Sequence, residues 1–225
     1  DARYPRRLKQ AADAPTLLYA KGNIDFESRR CIGIVGTRRC TDYGRRCTSA
    51  LIEGLIPQQP LIVSGLAYGI DIHAHQEAAR CKLQTIGVLG SGIDVIYPNA
   101  HIGTVAKMLS HGGIVTEHPF STKPDAHNFP ARNRIIAGLI DALIVVEAAE
   151  RGGALITADI ANSYDREVLA FPGDVNKSFS AGCNNLIKSN HAHLITSAQD
   201  LERIMNWDFG QPVSPPPCVR KEELD

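Results

Sequence analysis

Along the chain, short apolar and β-branched runs end in glycine-containing turns and are followed by segments whose apolar positions recur at the helical period. The runs Cys31–Gly36, Pro60–Ser64, Gln84–Leu89, Gly113–Thr116, Ala142–Glu147, Glu167–Phe171 and His193–Ile195 read as strands. Helices are predicted near Tyr43–Leu55, Ile72–Cys81, His101–Ser110, Pro130–Ile140, Thr157–Tyr164, Asn184–Ser189 and Ala198–Trp207. Strands alternating with helices at this spacing imply βαβ units. The expected fold class is therefore α/β: a doubly wound, mostly parallel sheet with helices on both faces. Residues 1–30 read as a short helix and an extended segment docked on the main body, residues 31–207 as one domain, and residues 208–225 as a Pro-rich linker or tail. The chain begins at Asp1 without a methionine, as expected of a piece of a longer protein.

Right-handed crossovers bring every strand-to-helix turn to one edge of such a sheet, and that edge is its ordinary binding crevice. The unusual residues gather in those turns: Gly36-Thr37-Arg38-Arg39, Ser64 to Asp71, Gly90-Ser91-Gly92-Ile93-Asp94, Glu117-His118-Pro119 and Arg151-Gly152-Gly153. Glycine permits close backbone approach to a ligand, and each following helix start offers free N–H groups.

The segment Asn128 to Gly138 organises this edge. Pro130 suits a first helical position, which would place Arg132 and Arg134 in a first turn that holds no acid. A helix N-terminus carries partial positive charge, so such a turn is best relieved by an external anion, typically phosphate. At about 100° per residue, Arg132 points with the apolar face toward the sheet edge and Arg134 nearly opposite. Arg132 is thus expected to overhang the crevice and Arg134 to lie on the outer flank, held by Glu117 or Glu147.

Charge does not point the same way globally. The 24 basic and 24 acidic residues cancel, so any anion site arises from local clustering. The six cysteines show no CxxC pair, which favours reduced thiols over a disulfide frame or a zinc site. No apolar run reaches a membrane span of about 20 residues, and the N-terminus has no signal-peptide core.

Several residues carry two readings. Gly36-Thr37-Arg38 is either a tight turn with solvated arginines or an anion-binding turn; it is neither GxGxxG nor a P-loop. Asp71 and Asp94 read as caps or loop braces, or as ribose-binding or catalytic carboxylates. Glu117 and Glu147 read as partners for Arg38, Arg132 or Arg134, or as paired acids. Phe129 is either a hydrophobic staple or an exposed base-stacking platform. His73 and His75, two residues apart on a helix, face away from each other and do not share a metal. Neither GxSxG nor a cysteine–histidine pair marks a nucleophile.

The motifs Ile34-Val35-Gly36-Thr37-Arg38, Ser64 to Asp71, Gly90 to Pro98, Phe129 to Gly138 and Leu155-Ile156-Thr157-Ala158 stand in order along the chain. In them the chain resembles the DNA-processing protein A family (DprA, also called Smf) from about Tyr4 to Leu201. The resemblance implies an extended Rossmann-like domain, cytoplasmic and without catalytic turnover or cofactor. Such a domain binds single-stranded DNA, forms a homodimer and helps load RecA recombinase in natural transformation. The implied single-stranded-DNA site comprises Gly36, Thr37, Arg38, Ser64, Gly65, Phe129, Arg132, Asn133, Arg134, Gly152, Gly153 and Lys188. Two departures stand out: Tyr164-Asp165-Arg166 where the family usually has Gly-Arg, and no glycine near His191. The alternative reading is a nucleotide-processing enzyme that hydrolyses nucleoside monophosphates, whose Pro-Gly-Gly-x-Gly-Thr-x-x-Glu motif Arg151 to Thr157 half resembles. A dinucleotide oxidoreductase fails on the missing GxGxxG.

Overall fold

The computed structural model of the protein describes residues 3–207, so the predicted tail at 208–225 lies outside the described residues. Its strands are β1 (Tyr19–Asn23), β2 (Cys31–Val35), β3 (Leu61–Gly65), β4 (Thr85–Val88), β5 (Gly112–Thr116), β6 (Ala142–Val145), β7 (Glu167–Ala170) and β8 (His193–Leu194). The helices are α1 (Arg6–Lys9), α2 (Asp42–Gly54), α3 (Ile70–Arg80), α4 (Ile102–Met108), α5 (Asn128–Leu139), α6 (Gly153–Ser163), α7 (Ala181–Lys188) and α8 (Ala198–Ile204). All seven strands read from the pattern are present, within one or two residues at each end.

The strands form a single sheet in the order β1-β5-β4-β3-β2-β6-β7-β8. All neighbours pair in parallel except β1, which runs antiparallel to β5, with Tyr19 opposite Thr116 and Gly22 opposite Gly113. In β2, Gly33 stands between Val63 of β3 and Leu143 of β6. The chain leaves β5 at one side of the sheet and re-enters at β6 beside β2. The carboxyl ends of β2 and β6 are thus the topological switch point, where an open α/β sheet leaves a crevice.

Alternation with period two sends side chains to opposite faces, and each face has its own core. Cys31 and Val35 of β2 pack with Leu8, Ile135, Leu139 and Ala158, under α1, α5 and α6. Ile32 and Ile34 pack with Leu51, Ile52, Ala74 and Leu201, under α2, α3 and α8. Each large aliphatic side chain buried in this way contributes ~1.5–3 kcal/mol. Ion pairing ties the N-terminal segment down as well: Arg7 Nε lies 2.6 Å from Asp141 Oδ1, and Cys31 N donates to Asp141 Oδ2 at 2.8 Å.

The five described cysteines are free thiols. Burial pushes the thiols of Cys31 and Cys183 up to about 12, which makes both unreactive near neutrality. No group of three or more metal-ligating side chains is found among the described residues.

Candidate functional site

At the switch point the sheet edge opens into a crevice of about 370 Å³, bounded by the turn after β2, the start of α5, the turn after β6 and the start of α6. Of the charged side chains lining it, three are arginines (Arg38, Arg132, Arg151) and one is a carboxylate, Asp71.

The turn after β2 is held from three directions. Thr37 N donates to Glu147 O at 2.7 Å, Arg39 N donates to Thr37 Oγ1 at 3.2 Å, and Thr37 O accepts from Ile70 N at 3.2 Å. That last bond needs the backbone of Gly69 close to the turn. Gly69 sits at φ +81°, and a Cβ there would strike the Arg38 backbone. So fixed, Arg38 stays exposed, with its guanidinium carbon 5.9 Å from the centre of the Phe129 ring. Phe129 is half-buried, and the Tyr97 ring lies 5.8 Å from it, tilted by 31°.

Arg132 does not overhang the crevice. It forms part of the floor and is only 6% exposed. Its guanidinium donates to Val88 O and faces Asp71, the second residue of α3. The two groups flank Gly65, where a Cβ would collide with both, so the close approach requires glycine. Burial raises the Asp71 carboxyl to about 6, while Arg132, the backbone N–H groups of Ala67 and Gly36, and Arg38 act in the opposite direction. Burial likewise lowers the Arg132 pKa, and its Nε has no hydrogen-bond partner among the described residues. Asp71 therefore braces the turns after β2 and β3, as one of its two sequence readings proposed, and also offsets a buried cation.

The third wall is the start of α6. No side chain caps this helix, its first turn holds no acid, and Cβ atoms built at Gly152 and Gly153 would meet only open space. Its N-terminal N–H groups are thus accessible to an anion. Asn133 Nδ2 donates to Gly153 O at 3.3 Å and Thr157 Oγ1 to the same oxygen at 3.0 Å, which fixes the helix start against α5. Arg151, exposed beside it, is not one of the site residues that the resemblance implies. Its place in the same glycine turn was the available signal.

The expected site is thus partly assembled. Gly36, Thr37, Arg38, Phe129, Arg132, Asn133, Gly152 and Gly153 line one crevice. Ser64 does not: it is fully buried and donates to Ile34 O at 2.6 Å, joining β3 to β2. Gly65 is a buried spacer under the floor. Arg134 is held on the outer flank by Glu117 and by Asp13 O, as its helical phase required, and so lies away from the crevice. Lys188 ends α7, which carries the chain back toward the opposite edge of the sheet.

Other expectations change too. Helix α5 begins at Asn128, so Pro130 is its third residue and the two arginines fall in the second turn, beyond most of the dipole's reach. Proline is tolerated there because the first N–H groups of a helix lack intrahelical partners. Glu147 pairs with no arginine among the described residues; it accepts from Thr41 N at 2.9 Å and Thr41 Oγ1 at 2.6 Å, securing the start of α2. Asp94 braces a loop through Ser121 N at 2.9 Å. His73 and His75 do face apart, the first toward Ser49 Oγ (3.0 Å) and the second toward Gly65 O (2.8 Å).

The two departures from the family pattern have a common geometry. Asp165 and Asn190 sit at φ +54° and +58°, in the left-handed region that Asp and Asn tolerate better than other non-glycine residues.

Comparison with known proteins gives the family and the fold. Protein Smf of Synechocystis sp. is 42% identical over 205 residues, which cover 89% of this chain and 51% of Smf. The chain thus spans about half the length of that curated relative. The structure of DNA processing protein A from Streptococcus pneumoniae matches with a TM-score of 0.84 at 39% identity, over 93% of this chain and 73% of that one. DNA processing protein A from Helicobacter pylori, described for its single-stranded DNA binding mode, matches with a TM-score of 0.82 at 28% identity, over 90% and 92% of the two chains. A profile of the DNA recombination-mediator protein A family covers residues 1–206, and the chain belongs to that family.

Proposed function

We propose that the crevice binds single-stranded DNA without sequence preference and that the chain acts as a recombination mediator rather than an enzyme. The observation that carries this reading is Arg38, an exposed cation set over the face of Phe129 beside the uncapped start of α6. Phosphate is attracted to Arg38, Arg151 and the α6 N–H groups, and a base stacks on Phe129. The described single-strand binding of the Helicobacter pylori protein supports the assignment. Titration of labelled single-stranded and duplex DNA at two salt concentrations tests it. Preferential, salt-sensitive binding of the single strand is expected; equal binding of both forms counts against a stacking site.

On the larger scale, the family resemblance supports a cytoplasmic homodimer that protects incoming DNA and helps load RecA in natural transformation. RecA assembling faster on a single strand in the protein's presence, and a dimer mass in solution, are the expected results. A nucleoside monophosphate hydrolase remains the second reading, favoured by one observation: Asp71, a buried carboxyl raised to about 6, lines the crevice. Free base released from AMP in proportion to protein would establish it.

A further inference from the structure

Two of the five motifs, Ser64 to Asp71 and Gly90 to Pro98, bring a tyrosine each to the binding edge that the crevice itself does not use. Tyr68 and Tyr97 are 51% and 49% exposed, and neither hydroxyl has a hydrogen-bond partner among the described residues. Half-exposed aromatic rings gain little from the fold and are the usual platforms for a planar ligand. Tyr68 is nonetheless fixed: its ring meets His101 edge-on at 4.8 Å, and His101 Nδ1 bonds Leu66 O at 2.8 Å.

Between the two tyrosines lies a second, shallow cavity of about 50 Å³, floored by Leu66 and Leu89. It shares Arg38, Ala67, Phe129 and Arg132 with the crevice. Phe129 and Arg38 thus border both cavities. At the shallow one, the Tyr97 and Phe129 ring centres are 5.8 Å apart and the ring planes diverge by 31°. The cavity is too small to enclose a base, so a base would lie on the rings with one edge inserted.

Resting on the single-strand reading above, we propose that Tyr97, supported by Tyr68, forms a second base-binding subsite, and that two consecutive nucleotides straddle Phe129. One base enters the main crevice and the next lies on Tyr97, while the phosphate joining them passes Arg38. Consecutive bases on opposite sides of an aromatic ring are unstacked from each other. The subsite thus selects a single strand over a duplex, in which neighbouring bases remain stacked, and only a ligand of two or more nucleotides reaches it from the crevice.

The test uses the whole chain and its Tyr97→Ala and Tyr97→Phe variants, with thymidine monophosphate and the 5′-phosphorylated thymidine dinucleotide competing against labelled oligothymidylate. Tyr97→Ala should weaken the dinucleotide about tenfold, the range of one stacked base, and leave the monophosphate within about twofold. Tyr97→Phe, which keeps the ring, should retain both affinities. Unchanged dinucleotide binding by Tyr97→Ala overturns the second subsite, and so does an equal loss for the monophosphate. A native chain that binds no oligothymidylate defeats the single-strand reading and this inference with it.

Discussion

The two halves of the carboxyl edge are built on different chemistry. Around β2 and β6 it is cationic and open, with Arg38, Arg151 and the bare start of α6 around a crevice. Around β3 and β4 it is aromatic and internally braced, with Tyr68 against His101 and Asp94 tied to Ser121. The difference separates two jobs that a single-strand binder must do. Charge attracts the phosphate backbone and responds to salt, whereas rings hold bases and are nearly indifferent to it.

The largest expected effect concerns the floor beneath both halves. Arg132→Met takes the nearest cation from the buried Asp71, and should lower stability by about 3–5 kcal/mol, read from urea unfolding. The double change Arg132→Met with Asp71→Leu should lose less than Arg132→Met alone, because the stranded charge is gone.

Next in size, Phe129→Ala should weaken oligothymidylate binding about tenfold while the dependence of log affinity on log salt keeps its slope. A flattened slope would mean that the ring orders Arg38 rather than a base.

A smaller effect follows from acid. The folded Asp71 carboxyl, at about 6, takes up a proton that the unfolded chain, at 3.8, still releases. Its contribution to stability is therefore fully present below about pH 4 and lost as pH rises through about 6. His75 does the reverse: burial pushes it down from 6.5 to about 4, so stability falls as pH drops through that window. The two partly cancel. Asp71→Asn removes the first and leaves the second, so its urea midpoint should fall more steeply than the native one between about pH 6 and 4. Parallel profiles would show that Asp71 is already ionised throughout.

The smallest effect is expected outside the crevice. Arg134→Ala removes the bonds to Glu117 and to Asp13 O, so stability should fall by about 1 kcal/mol.

The strands were legible because each of β2 to β7 is a short, largely apolar run closed by a turn, and the turns follow from topology. β1 was legible only as an extended segment: four of its five residues are exposed, so it lacks the alternation that marks a half-buried strand. Helical phase gave the direction of Arg132 and Arg134 correctly, but not depth. Whether an arginine reaches water or lies beneath it depends on what waits across the gap, and for Arg132 that is Asp71, sixty-one positions earlier on another helix. Glu147 shows the same limit, since its partner Thr41 lies 106 residues away. Ser64 came into the expected site with the family resemblance, which carries motif membership but not depth; here the neighbouring β2 carbonyl takes its hydroxyl.

The central claim is that the open half of the edge, and not the outer flank of α5, meets the phosphates. It is tested most directly by measuring single-strand affinity against log salt for the native chain, Arg38→Ala and Arg134→Ala. Arg38→Ala should weaken binding and flatten the slope by roughly 0.7 for each lost phosphate contact, with Arg134→Ala overlying the native line. Native affinity and slope for Arg38→Ala, or a flattened slope for Arg134→Ala, would contradict it.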